Sequence, residues 1–221
     1  VLDSRNNKRL VTKVGNEAYE VAGIGQIGSA YIFVKDRSLN TVEKAKGKKF
    51  AILHYDRAQK QMVERIGAVP VMSDISNFIR KFNNNEVDIV AAPAYAFKPL
   101  EIYKGLGSKG GMIDFPVVNV TADLILRQNE FPDGYAVKSR AWFVKQLPKS
   151  FAMAKRMEAE IPAKYKIALQ KEDKMEYQKL LRDGRMDLTQ QGTYDAVMMT
   201  VLKKARCTVE RTNFECSLSG E

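Results

Sequence analysis

Short apolar runs alternate with amphipathic stretches through the centre of the chain. The first run, residues 50–53, is flanked by Gly47 and Asp56 and has the length of a buried strand. From residue 57 to residue 66 the apolar side chains recur at helical spacing, and Gly67 follows where such a helix would end. The centre of the chain is therefore predicted to begin with a strand and a helix.

The same alternation continues for two more strands. Residues 69–72 form the second apolar run, and Ser73 or Asp74 can cap the helix that follows. The apolar stripe of that helix consists of Ile75, Phe78, Ile79 and Phe82. A third strand is predicted at residues 86–91 and is ended by Pro93, which lacks a backbone donor. Strands and helices in this order predict a parallel sheet covered by helices.

Further elements are predicted on both sides of this centre. Helical segments are expected at residues 7–17, 37–46, 100–105, 139–146, 148–161, 174–182 and 193–205, and a long strand at residues 117–126. Pro148 suits the first position of its helix, and the dipeptide at 183–184 separates the last two helices. The single tryptophan, Trp142, is expected to lie in the core.

A glycine-rich segment near the start matches the G-x-G-x-x-G pattern of dinucleotide-binding loops at Gly23, Gly25 and Gly28. That pattern requires a helix after the last glycine, but residues 30–34 favour a strand. We therefore interpret the segment as a glycine-rich crossover strand.

Composition narrows the class of protein. The chain has 221 residues, is 45% apolar and carries a formal charge of +10, which favours anionic partners such as carboxylates, phosphates, lipid head groups or nucleic acid. Because the basic residues are spread along the chain, a solvated basic surface is favoured over a nucleic-acid groove. No apolar run approaches the roughly 20 residues of a membrane span. The chain begins at Val1 without a signal peptide, so we expect it to be processed or cut from a longer one.

The two cysteines and the one histidine limit the chemistry. Cys207 and Cys216, with eight residues between them, suit a disulfide in the tail, the alternative being two free thiols. A disulfide would place the protein in an oxidising compartment such as the periplasm. His54 lies beside Tyr55 and Asp56 and has no motif of Cys, Ser or Glu around it, so no enzyme, metal site or cofactor is expected.

A series of short motifs carries a family resemblance. They are KGKK before the first central strand, IGA at the end of its helix, PV at the second strand, EVD before the third, SRAW at residues 139–142 and LP at 147–148. In this order they resemble the solute-binding proteins of TRAP transporters, the DctP-like family, over about residues 46–162.

This resemblance implies a type II periplasmic binding-protein fold, an α/β fold with a mixed sheet flanked by helices. Its two lobes would close on a small anionic solute and deliver it to membrane permease subunits, without catalysis. Residues 1–45 would be a remnant of the first lobe with the crossover strand, residues 46–128 the α/β lobe, and residues 129–221 a helical region across both lobes. Residues 1–45 are too few for the family's first lobe, so we expect that lobe to be incomplete.

The sequence differs from the family at the positions that bind the ligand. The family's carboxylate-binding arginine aligns with Ala51, and a polar pair aligns with Ala91 and Ala92. Without a bidentate arginine, specificity for carboxylates loses its main physical basis. We therefore predict a more aromatic pocket at the carboxyl ends of the strands. Its candidate residues are Tyr55, Arg57, Tyr95 and Phe97, with Arg127 as a further candidate for the anion.

Two alternatives to a solute receptor are open. One is an accessory protein of a drug efflux system, although a basic protein holds a cationic drug poorly and the expected crevice has few acids besides Asp56 and Asp74. The other is a truncated interaction protein without a ligand, which could form a homodimer by exchanging elements.

Overall fold

A computed structural model describes residues 18–220 of the protein. The strands are β1 (Tyr19–Val34), β2 (Lys49–Leu53), β3 (Val69–Ser73), β4 (Ile89–Pro93), β5 (Gly111–Ile113), β6 (Val118–Arg127) and β7 (Lys166–Ile167). The helices are α1 (Arg57–Arg65), α2 (Phe78–Asn83), α3 (Ile102–Leu106), α4 (Tyr135–Ala159), α5 (Lys171–Gln190) and α6 (Ala196–Val209). The helix predicted at residues 7–17 lies outside the described residues.

The strands of this part of the chain form one mixed sheet in the order β3-β2-β4-β1-β5-β7, with β6 paired to β1. Strands β2, β3 and β4 are mutually parallel, as their alternation with helices predicts. Strand β1 runs antiparallel to β4 and β5, which makes the sheet mixed. The predicted α/β fold with a mixed sheet flanked by helices is confirmed.

Strand β1 is the longest strand and belongs to two structures. Its carboxyl end pairs with β4 and β5, while its amino-terminal part pairs with β6 in an antiparallel ribbon that extends from the Ala30–Val118 pair to the Tyr19–Arg127 pair. Helix α4 packs against the ribbon so closely that a β-carbon at Gly23 would overlap the Phe143 ring. The prediction of a glycine-rich strand in place of a dinucleotide loop is therefore confirmed.

Along each strand the side chains alternate between the two faces of the sheet, and the core is therefore divided into two layers. The first layer, here the α2 face, includes Phe33, Phe82 and Ile102, which are fully buried. The second, the α5 face, includes Phe50 and Tyr177 together with the helices α1 and α5. Each central strand sends successive side chains to opposite faces, as a strand buried on both sides requires.

Two predicted helix boundaries are wrong. Helix α4 continues through Pro148, because the residues on both sides of it pack on the ribbon: Phe143 contacts the backbone at Gly23 and Ala154 the backbone at Gly28. Helix α5 likewise continues through Gly184, where the missing side chain leaves room for Met62 of α1. Tertiary packing outweighs the local helix-breaking tendency at both positions.

Two predicted core positions are also wrong. Trp142 is 57% exposed on α4, against the expectation that it would be buried. Ile75 is 64% exposed and precedes α2, which begins only at Phe78. Reciprocal hydrogen bonds between Asp74 and Asn77 form a turn there: the Asp74 amide donates to Asn77 Oδ1 at 2.9 Å, and the Asn77 amide to the Asp74 carbonyl at 3.0 Å. The turn delays the start of the helix.

The tail is linked to α6 by a disulfide between Cys207 and Cys216, whose Cα atoms are 5.6 Å apart. The predicted pairing is therefore confirmed. Among the helices of residues 18–220, none has both the length and the apolar character needed to cross a membrane.

Candidate functional site

The parallel strands β2, β3 and β4 end side by side at one edge of the sheet. Since neighbouring strands are about 4.8 Å apart, the residues that follow them can share one crevice. We define the carboxyl-edge crevice by the polar and aromatic residues at these ends. They are His54, Tyr55, Asp56 and Arg57 after β2, Asp74 after β3, and Tyr95 after β4.

His54 has a structural role at this edge. Its Nδ1 lies 2.8 Å from the Asp74 carboxylate, and its ring meets the edge of the Tyr55 ring at 5.0 Å between centroids. The contact joins the ends of β2 and β3. Within residues 18–220 no three or more His, Cys, Asp or Glu side chains are grouped so that they could hold a metal ion.

Arg57 lies in the first turn of α1, and hydrogen bonds hold the turn that precedes it. Asp56 Oδ1 accepts a hydrogen bond from the Gln59 amide at 2.8 Å, and Gln59 Oε1 accepts one from the Leu53 amide at 2.9 Å. This N-cap fixes the turn between β2 and α1. The Arg57 side chain is exposed and forms no ion pair with any residue from 18 to 220. Its guanidinium is therefore open to an anion.

The aromatic candidates differ in accessibility. Tyr55 is 60% exposed and Tyr95 is 41% exposed, so both rings can meet a ligand. Phe97 is only 4% exposed, and its ring packs 6.2 Å from that of Phe33 and 5.6 Å from that of Tyr165. The structure therefore places Phe97 in the core below the crevice.

Arg127 lies far from the crevice. It ends β6 opposite Tyr19, whereas Val118, at the start of β6, lies opposite Ala30 beside the main sheet. Nine steps along a strand correspond to about 30 Å. Arg127 is therefore on the distal end of the ribbon, and the structure does not bring it together with Tyr55, Arg57 and Tyr95.

The positions aligned with the family's ligand-binding residues carry no polar side chain. Ala51 and Ala92 are each 1% exposed and belong to the α2 face of the core. Ala91 is half-buried and packs on the α5 face. Any anion bound at this edge must therefore be held by other residues.

Sequence reasoning missed a polar contact between β1 and α4. Tyr31 is buried beside the end of β4, and burial raises the pKa of its hydroxyl, with a hydrogen bond to Glu158 raising it further. Glu158 is near the end of α4. No local pattern distinguishes Glu158 from the other charges of that helix, so this contact could not be predicted from the sequence.

Sequence reasoning also missed a cavity of about 430 Å³ on the α5 face of the sheet. Its walls come from the sheet and from α1, α5 and α6, and most of its lining is aliphatic. Burial and the nearby Asp56 raise the pKa of Tyr194, one of the lining residues, while Arg185 lowers it. Helix α1 is far from α5 and α6 in sequence, so no local motif could reveal the cavity.

The mixed sheet with its crossover ribbon has the fold of TRAP periplasmic solute-binding proteins. The fold matches a TRAP periplasmic solute-binding protein from Desulfovibrio salexigens with bound orotic acid, with a TM-score of 0.73 and 13% identity over 91% of this chain and 68% of that one. It also matches DctP7 of Bordetella pertussis, an extracytoplasmic receptor binding pyroglutamic acid, with a TM-score of 0.69 and 12% identity over 86% of this chain and 64% of that one.

The family model of solute-binding protein AdeT 1/2 matches residues 1–221. This chain belongs to that family. It is 47% identical over 203 residues to probable solute-binding protein AdeT1 of Acinetobacter baumannii, covering 92% of this chain and 67% of that protein. It is 28% identical over 219 residues to AdeT2 of the same organism, covering 99% of this chain and 92% of that protein. The DctP-like resemblance is confirmed, and the family's described role, solute binding, requires no catalysis.

Proposed function

We propose that this protein is the periplasmic receptor of a TRAP-type transport system, and that it captures a small anionic organic solute for membrane permease subunits. The observation that carries this proposal is the layout in which β1 and β6 leave the sheet as a ribbon beside α4. A fold that includes this layout matches the D. salexigens receptor over 91% of the chain. The Cys207–Cys216 disulfide supports an oxidising compartment.

The anion would bind at Arg57. This exposed guanidinium stands at the amino end of α1, where the helix dipole adds to its positive charge. Tyr55 precedes it in the crevice and Tyr95 follows the neighbouring strand, so both can cover the apolar part of a solute. The net charge of +10 favours the approach of anions.

Binding at Arg57 would be weaker than binding to a buried arginine. An exposed guanidinium is solvated before and after the solute arrives, so each contact gains less free energy than a desolvated bidentate pair. Ala51 cannot supply such a pair. We expect a receptor of modest affinity that accepts several carboxylates.

Isothermal titration calorimetry with orotate, malate and pyroglutamate, each paired with its uncharged amide, tests the proposal. We expect the carboxylates to bind and Arg57→Gln to weaken them about tenfold. Arg211→Gln is the matched control, because Arg211 is also exposed and follows the far end of α6. It should bind as tightly as the wild type.

Three results would contradict the proposal. Equal weakening by both substitutions would show that net charge, and not a site at Arg57, attracts the anion. Absence of any carboxylate adduct in native mass spectrometry of the wild type would exclude an anion receptor. Binding of a cationic drug in place of the carboxylates would favour the accessory role in efflux.

A further inference from the structure

The cavity on the α5 face differs from the carboxyl-edge crevice, although Asp56 belongs to both. It lies between the sheet and the helices α1, α5 and α6, whereas the crevice lies beyond the ends of the strands. Asp56 lines the cavity, but its crevice neighbours Tyr55 and Arg57 do not. A molecule in the cavity would therefore meet a different set of side chains from a solute held at Arg57.

The walls of the cavity are apolar. Its residues include Ile32 of β1, Phe50 of β2, Met62 of α1, Leu181 of α5 and Leu202 of α6. Such walls offer almost no hydrogen bonds to water, and an apolar cavity of about 150 Å³ is already large enough to hold benzene. This cavity is nearly three times that size, at about 430 Å³. Its volume falls in the range of small-molecule sites, about 300 to 1,000 Å³.

The lining side chains do not close the space. Ala45, Ala58 and Ala91 contribute only methyl groups to the wall, and Met62 and Leu202 remain only half-buried although they lie between the helices and the sheet. Protein interiors are normally packed to the density of organic crystals, with few voids larger than a water molecule. This space is instead partly open to solvent, and an apolar space of this size is typical of small-molecule sites.

The charged groups of the lining are already engaged by the protein. Arg185 donates to both carboxylate oxygens of Glu215 at 2.8 Å, and Asp56 accepts from the Gln59 amide at 2.8 Å. Tyr194 differs, because its hydroxyl forms no hydrogen bond with another residue of the described chain. Since burial and Asp56 raise its pKa, this hydroxyl stays protonated at neutral pH and can donate a hydrogen bond.

We propose that this cavity is a second ligand site, which takes an uncharged, mostly apolar molecule of one or two rings bearing a single hydrogen-bond acceptor. Its apolar body would fill the space between α1, α5 and α6, and its acceptor would meet the Tyr194 hydroxyl. This ligand would differ in class from the anionic solute that is proposed for the crevice. The cavity proposal does not rest on binding at Arg57, so either can fail without the other.

Fluorescence titration with N-phenyl-1-naphthylamine, a neutral apolar probe, tests the cavity. Ala91→Phe and Ala58→Phe each place a ring in the cavity from a different wall, and each should weaken probe binding at least about tenfold. Ala163→Phe makes the same change at an exposed position outside the cavity and should leave the affinity unchanged. Circular dichroism checks that each variant is folded, and either filling variant alone is sufficient for the test.

The acceptor is tested by competition between two probes of similar shape. 1-Acetylnaphthalene carries a carbonyl acceptor and 1-isopropylnaphthalene does not. The wild type should prefer the first by about fivefold, and Tyr194→Phe should remove that preference without changing the affinity for the second. A preference that survives Tyr194→Phe would overturn the role of this hydroxyl.

Two results would overturn the site itself. If the probe binds equally to the wild type, Ala91→Phe and Ala58→Phe, or does not bind at all, the cavity holds no such ligand. A probe that binds only to the exposed apolar surface would show such equal binding to the wild type and both variants. Displacement of the probe by a carboxylate that binds at Arg57 would show that crevice and cavity are one site.

Discussion

The main sheet and the ribbon bury their apolar side chains to different degrees. In the main sheet and its helices, Phe33, Phe82 and Val90 are each 0% exposed. On the ribbon of β1 and β6 and on α4, Ile125 is 54% exposed and Trp142 is 57% exposed. The main sheet has helices on both faces and completes its own core, whereas the ribbon has α4 on one side.

This difference indicates a division of roles. Of the ten residues of β6 only Leu126 is buried, and with Ala22 and Ala136 it makes up the small cluster under the ribbon. Exposed large apolar side chains, such as those of β6 and α4, can form a contact with another protein surface. We infer that the main sheet provides the stability of the molecule, and that the ribbon with α4 provides a surface for association.

The largest expected effect is the loss of a core ring that packs against the main sheet from α2. Phe82 is 0% exposed, and the Lys35 Nζ lies 4.5 Å from its ring centroid. Phe82→Ala should lower the free energy of unfolding by about 3 to 5 kcal/mol, whereas Trp142→Ala on the ribbon side should change it by no more than about 0.5 kcal/mol. Urea denaturation measures both. Similar losses of unfolding free energy in the two variants would contradict the proposed division of roles between the main sheet and the ribbon.

The second prediction tests whether the helices on the α5 face unfold together with the main sheet. Glu215 is 5% exposed and accepts hydrogen bonds from Arg185 at 2.8 Å and from Arg206 at 2.9 Å. Glu215→Ala should cost about 2 to 3 kcal/mol, because it removes a nearly buried carboxylate that binds two guanidinium groups. Glu176→Ala, an exposed change on α5, is the control and should have little effect on the urea midpoint. An equally small effect at Glu215 would show that the tail unfolds separately.

The elements of the main sheet could be predicted because local pattern and tertiary packing agree there. The runs at 50–53 and 69–72 are strands, and the stretch at 57–66 contains α1. Around α4 the two influences conflict. Pro148 disfavours a continuous helix, but the contacts of Phe143 and Ala154 with the ribbon maintain one. Long-range contacts of this kind are not visible in a local sequence pattern.

The candidate site was predictable only in outline. Strand-end topology places Tyr55, Arg57 and Tyr95 at one edge of the sheet, but it cannot separate a side chain that faces solvent from one that turns into the core. Tyr95 and Phe97 differ by two positions along the chain, yet one is exposed and the other packs against Phe33. The cavity depends on where α1, α5 and α6 meet, which follows from the packing of distant segments.

A smaller effect is expected where the ribbon meets α4. A β-carbon at Gly23 would overlap the Phe143 ring, while at Gly25 its nearest neighbour would be the Ala122 carbonyl oxygen at 3.9 Å. Gly23→Ala should therefore cost about 1 to 2 kcal/mol through displacement of that ring, and the matched Gly25→Ala should be neutral or slightly stabilising. Thermal unfolding of the two variants gives the comparison. Equal melting temperatures would mean that α4 moves away from the ribbon at little cost.

The smallest effect on stability, and the most direct test of association, is expected at Trp142. Trp142→Lys should change the free energy of unfolding by less than about 0.5 kcal/mol, because the side chain is 57% exposed. We expect the wild type to self-associate as its concentration rises, and this substitution to weaken the association by placing a charge on the apolar surface. Sedimentation equilibrium measures it, with Val209→Lys as the control at a 90% exposed position on α6. Monomers at every concentration would contradict self-association, and the exposed side chains of the ribbon would then be left for a different partner chain.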